Sequence, residues 1–594
     1  MFLRPHQRIK DGKPHTYWSL VETVRTPDGP RQRTLCYLGE LNDSAQARWL
    51  KTIEVFNEQG ESRQLKLFPS TVEPPEDEAG VARVLVDKVR LERVRRFGDC
   101  FLGLELWKRV GLDRFWEEWL DQLQDAADVP WSRIAALLAI NRLCEPGSEL
   151  AIEERWYPST ALDDLLRIDP GKVNDSRLYR CLDRLLPHKT KLERHLSERY
   201  GELFAAEFDV LLYDLTSSYV EGAAAQDPMM RRGYSRDHRP DCKQVVIALI
   251  VNGEGFPLSY ETFNGNRPDV TTLEAVLRMV ERKYGRARRV WVFDRGLVSE
   301  ENLAFLRKRG GQYLVGTPRG KLKEFERELV TAGWAQVRAE VEVKLVPTMP
   351  GEETYILCRS TARREKEQAI RSRFSARMEK ALHGLQKRVA EGQLKDRHKI
   401  ERHLGAIQAR HPQVADLYEM KVVVGGNGHL RLVWKQIEGR QAWQHAREGA
   451  YLLRTNLPPD KPDQLWQNYI QLTEAEAAFR ALKSELSIRP IFHQLERRAK
   501  AHILVVFLGY ALWVTLKHWL LRHRAALSPG RALALLSTLQ SADIVLPTTE
   551  GREIRLRRVA RPSAEQRALL DQLDMTLPER LNVDQECSAD FAVA

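Results

Sequence analysis

The chain has no Cys-x-x-Cys pair. Its seven cysteines, at positions 36, 100, 144, 181, 242, 358 and 587, are scattered over 594 residues. That spacing excludes a zinc ribbon or a disulfide framework and suits a reducing, cytoplasmic compartment. Long hydrophobic runs are also missing. The longest, Ile503–Leu516, has 14 residues and is interrupted by Gly509, Tyr510 and Thr515. It is too short to span a bilayer and predicts a buried core helix. The first residues, Met-Phe-Leu-Arg-Pro-His, read as lacking an apolar signal region; no membrane partner is expected. Neither sign of charge dominates: 93 Lys+Arg stand against 82 Asp+Glu, a formal charge of +11. That excess permits a polyanion partner without requiring one. What is present is globular: 43% hydrophobic and 29% charged residues, with length for three or four domains.

The N-terminal part opens with two strand-like segments, 16–24 and 32–38, around the turn composition Thr26-Pro-Asp-Gly-Pro30. Seven cations between Arg4 and Arg33 surround this hairpin. Residues 1–69 are therefore a small basic β unit, either a DNA contact or a solvated face. Residues 70–80, with Pro74-Pro75 and an acidic run, read as a linker. Residues 81–206 are mostly helical by period, a region for DNA binding or dimerisation, with helices expected over Trp131–Leu143 and Asp175–Leu186.

From residue 207 the pattern becomes α/β. Phe208–Tyr213 reads as a strand ending in Asp214; Gln244–Val251 and Phe256–Phe263 form a hairpin across Asn252-Gly-Glu-Gly255. A helix, Thr271–Lys283, leads to strand Arg289–Phe293, which ends in Asp294. Helix Ser299–Lys308 then leads to strand Gln312–Gly316. Each Asp alone can be a turn or cap residue. Two at strand ends of one sheet point to a ligand edge. Residues 207–317 are the first part of this core.

Residues 318–465 interrupt the pattern as an insertion. It contains strand-like 340–347 and 354–359, a helical stretch Thr361–Arg410 with 14 Lys/Arg and 6 Asp/Glu, and a hairpin around Gly425–Gly428. The basic stretch is read as a DNA or dimer contact, against the plainer reading of a solvated charged helix. Residues 466–524 return to the core, and 525–594, with a strand pair near Glu550-Gly551 and a final helix, serve packing or dimerisation.

The most informative stretch is Tyr469–Lys483. On a single helix, Tyr469, Leu472, Glu476, Arg480 and Lys483 fall within about ±40° of one line, and Glu474 points away. By itself this is a carboxylate flanked by cations: a metal and phosphate site, a surface ion-pair row, or a capping box at Thr473-x-x-Glu476.

Taken together, these residues resemble the DDE-type transposases of bacterial insertion sequences, in the group with the signature Y-x-x-R-x-x-x-E-x-x-x-x-x-x-K. Tyr469, Glu476 and Lys483 match at that spacing; Leu472 stands where the group has Arg, and Arg480 is the substitute one turn on. Asp214 and Asp294 resemble the two catalytic aspartates. The resemblance covers about residues 130–560 and implies an RNase H-like mixed-sheet core carrying a β-rich and helical insertion. It implies Asp214, Asp294 and Glu476 as catalytic metal ligands for two Mg²⁺ ions, with Mn²⁺ as a substitute, and Tyr469, Arg480 and Lys483 as DNA-binding residues. It further implies cleavage at the terminal inverted repeats of a mobile element, joining of 3′-OH ends to target DNA, and a homodimer on DNA. The alternatives are a nuclease of the same fold without strand transfer, and a catalytically silent DNA-binding protein. Arg489–His493 and His502 also resemble the subgroup with the long insertion; the two histidines are expected to be structural.

Overall fold

The computed structural model describes residues 2–10, 13–26, 29–40, 52–56, 62–66, 81–122, 128–224, 227–286, 289–346, 353–426, 428–458, 462–549, 551–578 and 581. The 70–80 linker lies outside the described residues. Strands β1 (Phe2–Lys10), β2 (Lys13–Thr26) and β3 (Gly29–Glu40) form an antiparallel meander. The second sheet joins β4 (Thr52–Phe56), β5 (Ser62–Lys66) and β6 (Val81–Val84). After β7 (Arg90–Arg96) come helices α1 (Gly98–Arg109), α2 (Trp131–Cys144), α3 (Asp175–Leu185) and α4 (Lys189–Phe204). Helix α2 is buried nearly all round, and α3 is strongly amphipathic and starts on an Asn174 cap.

The centre is one nine-stranded sheet. Its first five strands are β8 (Val210–Val220), β9 (Lys243–Asn252), β10 (Pro257–Asn264), β11 (Val290–Phe293) and β12 (Gln312–Gly316). They lie in the order β10-β9-β8-β11-β12: an antiparallel meander followed by two parallel strands, the RNase H-like arrangement. Near-continuous apolar runs such as Val245–Val251 fit strands covered on both faces. The β9–β10 turn is pinned by Asn252 Oδ1, which accepts from the Glu254 and Phe256 amides, and by Gly255 at φ +91°.

Residue parity sorts the sheet's two faces. Leu211, Tyr213, Trp291, Phe293 and Tyr313 pack with α5 (Leu273–Tyr284) and α6 (Glu300–Lys308). Leu212, Val292 and Leu314 face the larger core, which holds the N-terminal helices and a long C-terminal helix.

The insertion does not stand apart from this sheet. Strands β13 (Ala335–Arg338), β14 (Val341–Val346), β15 (Thr354–Ser360) and β18 (Ala450–Thr455) extend it past β12, in the order β12-β18-β15-β14-β13. Thr455 ties the join: its buried hydroxyl donates to the Tyr313 carbonyl at 2.6 Å. Between β15 and β18 the chain leaves as α7 (Thr361–Ala390), α8 (Arg397–Arg410), and the hairpin β16 (Tyr418–Val424)–β17 (Leu430–Gln436). The helical stretch Thr361–Arg410 is a helical pair, broken at Glu391–Asp396. It has a core of its own around Met378, Leu382, Ile400 and Leu432.

The chain then returns through α9 (Pro462–Ile470), α10 (Leu472–Arg480) and α11 (Glu496–Arg522). By length and composition α11 is apolar enough to cross a membrane, but 89% of its apolar window is buried inside the protein. The tail places β19 (Gln540–Pro547) between β7 and β20 (Glu553–Val559), so the chain's end closes onto the helical region.

Candidate active site

The site is set by strand register. β11 lies parallel to β8 with Phe293 opposite Tyr213, which puts Asp214 and Asp294 level on neighbouring strands. By parity both belong to the face occupied by Leu212 and Val292, where α10 packs on β8. Contrary to the sequence expectation, Asp214 is not at a strand end. β8 continues to Val220 because it keeps pairing with β9 as far as Lys243. Asp294 does end its strand, since β11 pairs only through Phe293.

Tyr469–Lys483 is not a single helix. α9 carries Tyr469 and ends at Ile470, α10 starts at Leu472, and Lys483 sits in a wider final turn, Ala481–Glu485. The Thr473 hydroxyl donates to the Ile470 carbonyl at 2.7 Å, and the start of α10 has no side-chain cap. The capping-box role for Glu476 is therefore overturned. Leu472, Ala475, Ala478 and Phe479 form the buried stripe that seats α10, leaving Glu476 exposed on its other side. Glu474 points away, held by Lys517 at 2.6 Å.

Burial pushes the Asp214 carboxyl up to about 6. The Leu215 amide and the Arg236 guanidinium oppose that rise, and the negative charges of Glu476 and Asp294 add to it. The charges of Glu476 and Asp294 are thus felt at Asp214. The oxygens of the three acids do not all lie within 4.8 Å of each other; among the described residues only Asp99, Cys100 and Cys144 meet that condition. At that separate cluster the Arg96 guanidinium already donates to Asp99 Oδ2 at 2.8 Å.

A cleft of about 410 Å³ opens beside the acids, lined by Asp294, Glu476, Tyr469, Leu472, Arg295 and Arg363. Tyr469 reaches the end of β12: a Cβ added to Gly316 would stand 2.7 Å from its hydroxyl oxygen. Burial raises the Tyr469 hydroxyl pKa, and the charge of Asp294 raises it further.

The cations are arranged differently from the sequence expectation. Lys483 Nζ donates to Asp237 Oδ1 at 2.8 Å, and Arg489 pairs with the same oxygen. Arg480 is exposed and has no side-chain partner among the described residues. Beside Leu472 the cleft holds Arg363 instead. Its guanidinium pairs with Glu367 at 3.1 Å and lies 5.2 Å from the centre of the Tyr451 ring. Sequence reasoning missed Arg363 and Asp237, because both come from loops and elements distant in the chain. The only signal in the sequence was the basic start of α7. His493 and His502 are buried: His493 Nε2 is 3.4 Å from Glu149 Oε1, and His502 Nδ1 is 3.3 Å from Arg142.

An RNase H-like sheet with acids level on its two central parallel-paired strands defines the class. The chain belongs to the transposase DDE domain family, which it matches over residues 206–512. Residues 3–62 match the IS1634 family transposase N-terminal domain; the protein is thus a DDE-type insertion-sequence transposase. Among solved structures it is similar to a piggyBac transposase, determined by cryo-EM as a synaptic complex with hairpin DNA. Identity is 8%, coverage 75% of this chain and 82% of that one, and the TM-score 0.34. No curated protein matches.

Proposed function

We propose that this transposase binds the ends of its element, hydrolyses a phosphodiester to free a 3′-OH, and joins that 3′-OH to target DNA. The observation that carries this reading is the level placement of Asp214 and Asp294 beneath the Glu476 helix. Asp214, Asp294 and Glu476 are the residues that would hold divalent ions. They offer hard oxygen donors only, which suits Mg²⁺, with Mn²⁺ as a substitute. Carboxylate charge gathered at a half-buried Asp214 also fits a cationic ligand, which would relieve the repulsion. Bound in pairs, such ions activate an attacking oxygen and stabilise a leaving one.

The chain's own residues then position the substrate. Tyr469 and Arg363 border the cleft beside Asp294 and orient the phosphate next to the cut. Lys483, fixed by Asp237, and Arg480, one turn beyond Glu476, present positive charge to the DNA backbone. Both steps are in-line displacements at phosphorus, so one site serves both. Pairing two ends calls for a homodimer on DNA.

Asp214→Asn, Asp294→Asn and Glu476→Gln are expected to abolish Mg²⁺-dependent nicking while retaining end binding. Wild-type nicking by any of them removes that residue from the site. Pre-cut ends supplied with a target plasmid separate the two enzyme readings: no joined product means a nuclease without strand transfer.

A further inference from the structure

Helix α7 carries one face that none of its neighbours uses. At 100° per residue, Arg363, Lys366, Ile370, Arg373, Arg377, Lys380, Gly384 and Lys387 fall within about ±60° of one line. The line begins in the catalytic cleft, at Arg363. From there each of these residues is exposed, including Ile370, and a Cβ at Gly384 would meet open space. Lys366, Arg373, Arg377 and Lys380 have no ion-pair or hydrogen-bond partner for their side chains among the described residues. Between Arg363 and Lys387 carboxylates are kept off the line; Glu391, at the helix end, pairs with Lys387 at 3.7 Å. Glu367 pairs with Arg363 and accepts from the Gly449 amide, and Glu379 accepts from the Tyr418 hydroxyl at 2.7 Å. The opposite face, with Met378, Leu382, Leu385 and Val389, is buried against α8 and the β16–β17 hairpin.

A solvated charged helix would mix both signs around its exposed face and pair them at i, i+4. From Lys366 to Lys380 this face is of one sign and its cations have no side-chain partners among the described residues; pairing is confined to its two ends, Arg363 with Glu367 and Lys387 with Glu391, and its head is continuous with the cleft. We propose that it is a phosphate rail for the element-end duplex whose terminus occupies the cleft. From Arg363 to Lys387 the helix rises about 36 Å, the length of about 11 base pairs at about 3.4 Å each. The rail therefore follows the duplex away from the scissile phosphate for about one helical turn of DNA. Arg363, at its head, brings to the cleft the guanidinium that Leu472 does not.

The proposal rests on end binding, not on the metal-ligand assignment, so it is tested without divalent ions. The combined variant K366A/R373A/R377A/K380A is compared with the intact protein by titrating salt against binding of end duplexes. One duplex is 30 base pairs and one is too short to leave the cleft. The expected result is a salt slope on the long duplex reduced by about 0.9 for each phosphate no longer neutralised, with no difference on the short one. Equal slopes on the long duplex overturn the rail. Weakened binding seen only with target DNA lacking an element end overturns it as well. A second variant with Gln at the same four positions keeps the helix-forming chain length, and unchanged circular dichroism excludes misfolding. Failure of the intact protein to prefer end DNA would instead count against the proposed function.

Discussion

Lys483 and Asp237 form a contact of 2.8 Å between the end of the Glu476 helix and the loop that follows β8. Asp237 is 2% exposed in its side chain and also binds Arg489, so a buried carboxylate collects two cations. Removing that carboxylate leaves the two positive charges facing each other. Asp237→Ala is expected to cost about 3 kcal/mol or more in urea unfolding, in the range for breaking a buried pair from one side. Adding Lys483→Ala should cost less than the sum of the single changes. Additive losses would mean the contact does not hold the loop to the helix.

Asp214 predicts a pH dependence for the metal-free protein. Its folded value, about 6, lies above the unfolded reference of about 3.9. The native state holds this proton more tightly, so the group's stabilisation is complete below about pH 4. It is lost as pH rises through about 6. Asp214→Asn should remove that slope and stabilise the metal-free protein near pH 7.5, by up to about 3 kcal/mol. Mg²⁺ should raise the Tm of the intact protein and leave that of Asp214→Asn nearly unchanged. Thermal unfolding at pH 4.5 and 7.5, in chelator and in Mg²⁺, checks both.

The strand-and-helix order of the core was legible in the sequence because its strands are apolar runs of the right length, separated by amphipathic helices. The two aspartates and Glu476 were singled out through the resemblance. What the reading missed depends on pairings between distant segments. β8 runs past Asp214 because β9, a later segment, continues to pair with it. β13–β15 and β18 join the core sheet through hydrogen bonds that link residues across the whole insertion, as between Leu314 and Thr455. The break at Gln471 left no signal in a helical pattern that continues through it. Arg363 could not be assigned to the cleft before β15 was placed beside β18.

Leu472 gives a third prediction. It is 7% exposed and belongs to the stripe that seats α10, and Arg363 already lines the same cleft. Leu472→Arg restores the group's signature in sequence but buries a second guanidinium near the first. The change is expected to lower stability by about 2 kcal/mol or more, without raising the nicking rate. A faster enzyme of unchanged Tm would show that the cleft accepts an arginine from α10 and that Arg363 does not fill its role.

The contact between Gly316 and Tyr469 can be tested by asking which atom the glycine makes room for. A Cβ at position 316 would stand 2.7 Å from the Tyr469 hydroxyl oxygen and 3.7 Å from the Arg295 amide nitrogen. Only the first distance is prohibitive, so the hydroxyl has to move. Gly316→Ala should therefore slow nicking and lower the Tm by displacing Tyr469 from the edge of the cleft beside Asp294. Tyr469→Phe removes the obstructing atom. The double variant should recover most of the stability lost in Gly316→Ala, because the ring can stay while the new methyl group takes the place of the hydroxyl. It should not recover activity if that hydroxyl orients the phosphate. Recovery of both would reduce Tyr469 to a packing residue; recovery of neither would mean that Gly316 is needed for the backbone of β12.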